Sequence, residues 1–190
     1  HRYIHSFPTR RSSDLAEGVR LDALETLLLR QKVAACWFMP TFQNPLGALM
    51  SNAKKQALVQ LLARYGVPLI EDDVYAELHF GARRPLPAKA FDQEGLVLHC
   101  SSFSKSLAPG YRVGWAAAGR YARHVERLKM MTSLASPISP QLAVAEYLVQ
   151  GGFERHLRHL REALKTQHTA ARALIERFFP KGTRMTEPQG

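Results

Sequence analysis

Apolar residues recur along this chain in two rhythms, one helical and one in short unbroken runs, and the alternation between them predicts the architecture. From Ala16 onward, Leu21, Leu24, Leu27 and Leu28 fall at helical spacing, so a short amphipathic helix is expected. Val33 to Met39 then has the continuous apolar character of a buried strand, and PTFQNPLG, from Pro40 to Gly47, is rich in breakers and reads as a loop. Ser51 is placed to cap a helix whose Ala57, Leu58, Leu61 and Leu62 share a face, and Gly66 closes it. Further buried strands are expected at Val67 to Ile70, Leu96 to Cys100 and Val113 to Ala118, with an irregular turn from Arg83 to Pro87. Strand, helix and strand in alternation predict a mainly parallel, doubly wound α/β sheet with helices on both faces.

From Tyr121 the pattern turns helical. One helix is expected to about Leu134, a break at Pro137 and Pro140, a second helix to Val149, and a long one from Phe153 to Phe179 beyond a Gly151-Gly152 hinge. At 1.5 Å per residue the last would span about 40 Å, a length that suits a connector between domains. The expected organisation is therefore a large-domain portion over 16–150, then a connecting helix and the start of a truncated smaller domain over 151–190. Residues 1–15 have no usable periodicity, and His5 to Leu15 is similar to the translation of a common sequencing-library adapter. That segment is expected to be non-native or disordered.

Composition narrows the class. With 46% hydrophobic and 22% charged residues the chain reads as a soluble globular protein. No apolar run approaches the roughly 18 residues of a membrane span, and no charged segment leads into an apolar one, so a cytoplasmic protein without membrane contact is expected. Cys36 and Cys100 lie singly in apolar runs, which predicts buried thiols and argues against a disulfide framework or a zinc site. The formal charge of +10 is spread along the chain, and the bias survives without Arg2, Arg10, Arg11 and Asp14 of the first segment. A nucleic-acid partner would rest on that charge alone, and phosphorylated small molecules answer it equally well.

The chemistry gathers where strands end. Lys105 follows the Leu96 to Cys100 run within SSFSKSLAPGYRVGW, just past a strand's carboxyl end, where open α/β sheets bind ligands, and a lysine there can form a Schiff base with a carbonyl. Asn44, Asp72 with Tyr75, Ser102 and Arg112 occupy comparable strand-end positions. Together they complement an aromatic aldehyde phosphate. An aspartate keeps a pyridine nitrogen protonated, asparagine and tyrosine donate to a phenolate oxygen, and serine and arginine suit a phosphate. Asp73 is the competing aspartate. Ser104 reads as a small turn residue, His99 as a buried strand-end histidine, and Trp37 and Trp115 as core. Arg155, His156, Arg158, His159, Arg161 and His168 read as a solvated helix surface.

Taken in order, NPLG, EDDVYAEL and SFSKSLAPGYRVGW resemble the aminotransferase class I and II family, fold type I of the pyridoxal-phosphate enzymes, over Val19 to Gly190. The resemblance implies pyridoxal 5'-phosphate as cofactor, with Lys105 as the Schiff-base lysine and the base that moves a substrate proton. It implies Asp72 at the pyridine nitrogen, Asn44 and Tyr75 at the phenolate oxygen, and Ser102 and Arg112 at the phosphate. Asp72 is preferred to Asp73 because the family pattern puts the acid three residues before the tyrosine, and because Asp73 would face the other way in a continuing strand. The implied reaction is amino-group transfer between an amino acid and a 2-oxo acid, in a homodimer.

More finely, PTFQNPLG, PLIEDDVYAELHFG, LHCSSFSKSLAPGYRVGW and QGGFERHLRHLR resemble the aminotransferase-like domain of MocR-type regulators in the GntR family. That implies a sensing role as the alternative to turnover, with DNA bound only through an N-terminal winged helix-turn-helix that this sequence does not contain. The upstream loop that completes the phosphate site in the family, with its stacking aromatic ring, and the C-terminal substrate arginine are likewise not matched.

Overall fold

Among the described residues four strands form the sheet that positions the candidate residues. The computed structural model describes residues 17–190, so the expectation for residues 1–15 lies outside the described residues. The strands are β1 (Cys36–Phe38), β2 (Leu69–Asp72), β3 (Val97–Ser102) and β4 (Gly114–Ala117), in the order β1-β2-β3-β4. The first two pairings are parallel, with Cys36, Leu69 and Val97 aligned in register. The β3–β4 pairing is antiparallel, matching Ser102 with Gly114, so the sheet is mainly parallel, as expected, with one antiparallel pair at its β4 edge. Only a 3₁₀ turn at Pro109–Tyr111 lies between these two strands, so no crossover helix carries the chain back to a parallel start.

Helices α1 (Leu21–Arg30) and α2 (Asn52–Arg64) cover one face. Leu24 and Leu28 of α1 meet Leu58, Val59, Leu61 and Leu62 of α2 over Cys36, Leu69 and Val97, and this is the core. Leu58 is fully buried, and truncating it to alanine would cost about 3 kcal/mol through lost burial and the cavity left behind. Ser51 caps α2 as its sequence predicts, its Oγ accepting from the Lys54 amide at 3.2 Å. Trp37, on the other face, is 64% exposed, and Trp115, on the His99 side of β4, is 45% exposed, so neither tryptophan is core. Trp37 projects from short β1 on the face away from Cys36, and Trp115 packs edge-on against His99 at 5.0 Å.

After the sheet come α3 (Ala122–Ser133), α4 (Ile138–Val149) and α5 (Gly152–Phe178). Pro140 does not break α4, because it falls in the first turn where its missing N–H has no intrahelical partner to lose. Gly151 turns the chain into α5 with φ 70°, a left-handed conformation that glycine adopts without steric cost. Helix α5 packs its first turns on the lysine loop, where Phe153 meets Phe103 edge-on at 5.7 Å. Arg161 does not belong to a solvated surface: its guanidinium donates to the Glu77 carbonyl at 2.6 Å. No helix among the described residues is long and apolar enough to cross a membrane.

Candidate functional site

Both central strands run two residues further than the apolar runs predict, and this brings the chemistry onto the sheet edge. Asp72 is the last residue of β2, in register with Cys100 of β3, and Ser102 is the last residue of β3. Lys105 follows three residues later on an exposed turn, its Nζ 5.7 Å from the centre of the Tyr75 ring. Lysine and tyrosine therefore approach from the ends of adjacent parallel strands.

Asn44 is exposed in the loop after β1, preceding a cis Asn44–Pro45 peptide bond. It shares a cleft of about 270 Å³ with Tyr75, whose other walls include Pro45, Thr186 and Pro188. The chain's last residues pass over this loop, and the Phe80 amide donates to the Gln189 carbonyl at 2.7 Å. Gly47, at φ 68°, lets the loop pass beneath Pro188, since a Cβ there would lie 2.6 Å from the proline ring.

Ser102, Ser104 and Arg112 form the third part. The Ser102 hydroxyl accepts from the Ser104 amide at 3.3 Å, and Arg112 Nη1 reaches the Ser104 hydroxyl at 3.4 Å and the Pro109 carbonyl at 3.3 Å. Most of the guanidinium's donors thus stay free for an anion. Ser104, read from sequence as a turn residue, is the hydroxyl that joins Arg112 to the strand end. Gly114 allows this closeness, because a Cβ there would meet the Ser101 carbonyl at 2.9 Å. Arg112 takes φ 54° and Phe42, before Asn44, takes φ 52°. Left-handed backbone at residues other than glycine costs on the order of 1 kcal/mol and concentrates at ligand sites.

Asp72 carries the least satisfied group of the set. Its Oδ1 is buried without a hydrogen-bond partner. Burial pushes the carboxyl above its ordinary range, and the Val74 amide and the Trp37 side chain oppose that rise. A protonated ring nitrogen is the kind of donor such an oxygen lacks. The Asp72 oxygen, the exposed Lys105 amine and the open donors of Ser102 and Arg112 therefore fit an aromatic aldehyde phosphate.

Sequence reasoning missed the polar cluster behind the sheet. Asp73 is buried, its Oδ2 held by Arg84 Nη2 at 2.7 Å and His99 Nε2 at 2.9 Å. Glu71 is buried beneath the Ala88 and Lys89 amides at 2.6 and 2.9 Å, and burial drives its carboxyl upward against those bonds. Lys55, fully buried on α2, donates to Thr41 Oγ1 at 2.8 Å and to the Leu86 carbonyl at 2.7 Å. Burial depresses its ammonium and the charges of Glu71 and Asp73 oppose the loss. The signal was legible as the acidic run Glu71-Asp72-Asp73 followed by Arg83-Arg84, since three consecutive carboxylates at a buried strand end need cations nearby.

Comparisons with known proteins bear on the family and the fold. An uncharacterized HTH-type transcriptional regulator of Escherichia coli, YdcR, is 48% identical over 169 residues, covering 89% of this chain and 36% of the relative. Aromatic-amino-acid aminotransferase 1 of Thermococcus litoralis is 34% identical, covering 92% of this chain and 43% of the relative. Among solved structures, kynurenine aminotransferase of Pyrococcus horikoshii superposes with a TM-score of 0.86 at 33% identity, over 92% of this chain and 45% of that one. LysN, an α-aminoadipate aminotransferase of Thermus thermophilus complexed with N-(5'-phosphopyridoxyl)-L-leucine, gives a TM-score of 0.85 at 34% identity, over 92% of this chain and 46% of that one. The chain spans less than half the length of each of these relatives. The sequence profile described as Aminotransferase class I and II matches residues 4–190, and with that match the chain belongs to the aminotransferase class I and II family.

Proposed function

We propose that this chain is the cofactor-binding part of an aminotransferase-like domain that holds pyridoxal 5'-phosphate on Lys105 and supports amino-group transfer between an amino acid and a 2-oxo acid. The observation that carries the reading is the orphaned Asp72 oxygen at the end of β2, beside a strand that delivers an exposed lysine. When bound, the cofactor supplies an electron sink for a carbanion formed next to the amino group.

The protein's own residues divide the remaining work. Asp72 holds a proton on the ring nitrogen. Tyr75 and Asn44, on one cleft, donate to the phenolate oxygen. Ser102 and Arg112 hold the phosphate, with the arginine's left-handed backbone turning its side chain back toward Ser104. Lys105, within reach of the Tyr75 ring, carries a proton to and from the substrate Cα once its amine is free.

Similarity to HTH-type regulators favours a parent protein that also binds DNA, through a domain outside this sequence, and reads the occupied cofactor site. A homodimer fits the exposed apolar residues of α3, α4 and the turn between them, among them Met131, Leu134, Ile138 and Leu142, which a second copy would cover.

Adding pyridoxal phosphate to the chain tests the reading. An absorbance band near the visible, fixed as a covalent adduct on Lys105 by borohydride and absent in Lys105→Ala, is the expected result. Wild-type chain with no band and no adduct would remove the proposal. With the longer parent protein, loss of the band on adding an amino acid marks turnover, whereas a band that persists marks a sensor.

A further inference from the structure

Between Asp73 and Glu77 lies the short turn Val74-Tyr75-Ala76, and one guanidinium grips both of its ends. Arg84 Nη2 donates to Asp73 Oδ2 at 2.7 Å, and Arg84 Nε donates to Glu77 Oε1 at 2.7 Å. Asp73 is also fixed through its backbone: its amide donates to the Cys100 carbonyl at 2.9 Å and its carbonyl accepts from the Ser101 hydroxyl at 3.1 Å. Asp72 stands immediately before this turn and Tyr75 within it.

We infer that Arg84 is the positioning residue of the site, setting the separation of Asp72 and Tyr75 through the paired grip on Asp73 and Glu77. The inference rests on the cofactor reading above.

The geometry favours arginine for this task. Its planar fork presents Nε and Nη2 in a fixed relation, so two carboxylates on either side of a turn are held at one spacing. Lysine, a single point charge on a flexible stem, cannot impose that spacing. The Asp73 side chain is fully buried while those of Arg84 and Glu77 are about one-third exposed, so the clamp is anchored inside and adjustable outside. Its outer arm leads further: Glu77 also receives Arg161 of α5, at 2.6 Å through its carbonyl and 3.4 Å through Oε2. A shift of α5 is thereby felt at Glu77 and passed to the turn that carries Tyr75.

Arg84→Met and Arg84→Lys in the full chain test this in two arms. In the cofactor-free chain, amide hydrogen exchange over residues 73–78 is expected to speed up about tenfold in Arg84→Met while α2 keeps its rate, as loss of a charge-assisted bond implies. With pyridoxal phosphate, affinity is expected to fall about tenfold. The pH at which the absorbance band changes form is also expected to move, and Arg84→Lys should recover little of either. A merely structural arginine would lower the melting temperature and leave that pH midpoint in place.

Wild-type exchange in folded Arg84→Met overturns the clamp whether or not cofactor binds. Faster exchange with unchanged affinity and midpoint overturns the positioning role. A wild-type chain without the band removes the cofactor reading and with it any role for Arg84 at the site, while exchange still decides the grip. Should Arg84→Met fail to fold, Glu77→Gln, which keeps the Asp73 arm and weakens the side-chain bonds of Glu77 to Arg84 and Arg161, is read against the same outcomes.

Discussion

Asp72 and Asp73 are consecutive, yet they answer to opposite faces of the sheet. Each keeps one buried carboxylate oxygen without a partner, but Asp73 is locked through its other oxygen between Arg84 and His99, whereas Asp72 ends β2 opposite Cys100. Their substitution should therefore have opposite consequences. Asp73→Asn weakens a buried ion pair and should lower unfolding free energy by about 2 kcal/mol. Asp72→Asn removes a charge that burial disfavours, so its stability should equal or exceed wild type by up to about 1 kcal/mol, while cofactor affinity falls sharply. Denaturant melts of the two variants check this, and equal destabilisation by both would contradict the assignment.

The same pair gives a pH signature. Burial raises the Asp72 carboxyl above its unfolded value, so the folded chain binds a proton more readily than the unfolded one. The stability linked to that group is complete below the unfolded value, about 4, and is lost as pH rises through the folded value. Asp72→Asn lacks the loss. Its stability relative to wild type should accordingly grow as pH is raised from about 4 toward neutrality, and a gap that stays constant with pH would oppose the assignment.

Both thiols should be slow. Burial lifts Cys36 to about 11, and burial with the Asp72 and Glu71 charges lifts Cys100 as well. At pH 8 only about a thousandth of a thiol titrating near 11 is thiolate, against roughly a quarter of an ordinary one. A disulfide reagent at that pH should report little free thiol in the folded chain and both cysteines once denaturant is added. Rapid reaction of Cys36 in the native chain would be at odds with its buried place under α1 and α2.

How much of this was legible follows from what each residue depends on. The strand-end positions of Lys105, Asp72 and Ser102 could be read because local signals fix them: an apolar run marks a strand, and the polar residues that end it lie at the sheet edge. Ser51 was readable for the same reason, a cap being a matter of three or four residues. Trp37 and Trp115 were misplaced because exposure depends on which elements cross the sheet, and no local pattern records that α1 and α2 lie over the Cys36 face of β1 and not over its Trp37 face. The β3–β4 pairing depends on whether the Phe103 to Val113 connection builds a crossover, and its serine, proline and glycine content supports only a 3₁₀ turn. Arg84 and Arg161 were hidden by distance along the chain, since the Arg161 to Glu77 contact spans 84 residues.

Capping offers a clean local test. Ser51 Oγ satisfies one of the free amides at the start of α2, and nothing else among its hydrogen bonds depends on that hydroxyl. Ser51→Ala should lower stability by about 1 kcal/mol, with Ser51→Asp close to wild type. Because α2 supplies Leu58, Leu61 and Leu62 to the core, the loss should appear in global unfolding. An Ala variant as stable as wild type would show that tertiary packing alone fixes the start of α2.

Trp37 links the exposed face to the site. Its side chain helps hold down the Asp72 carboxyl that burial pushes up, even though most of the indole faces solvent. Trp37→Phe keeps an aromatic ring on β1 and removes the N–H donor. The Asp72 carboxyl should then titrate at higher pH than in wild type, an upward shift visible by NMR of its side-chain carbon. Stability should change little, since a residue 64% exposed contributes little burial. The titration and the melt thus separate an electrostatic role from a packing one: an unmoved Asp72 curve would mean that the indole donor does not reach the carboxylate, and a large loss of stability would mean that the β1 face is packed more closely than its exposure indicates.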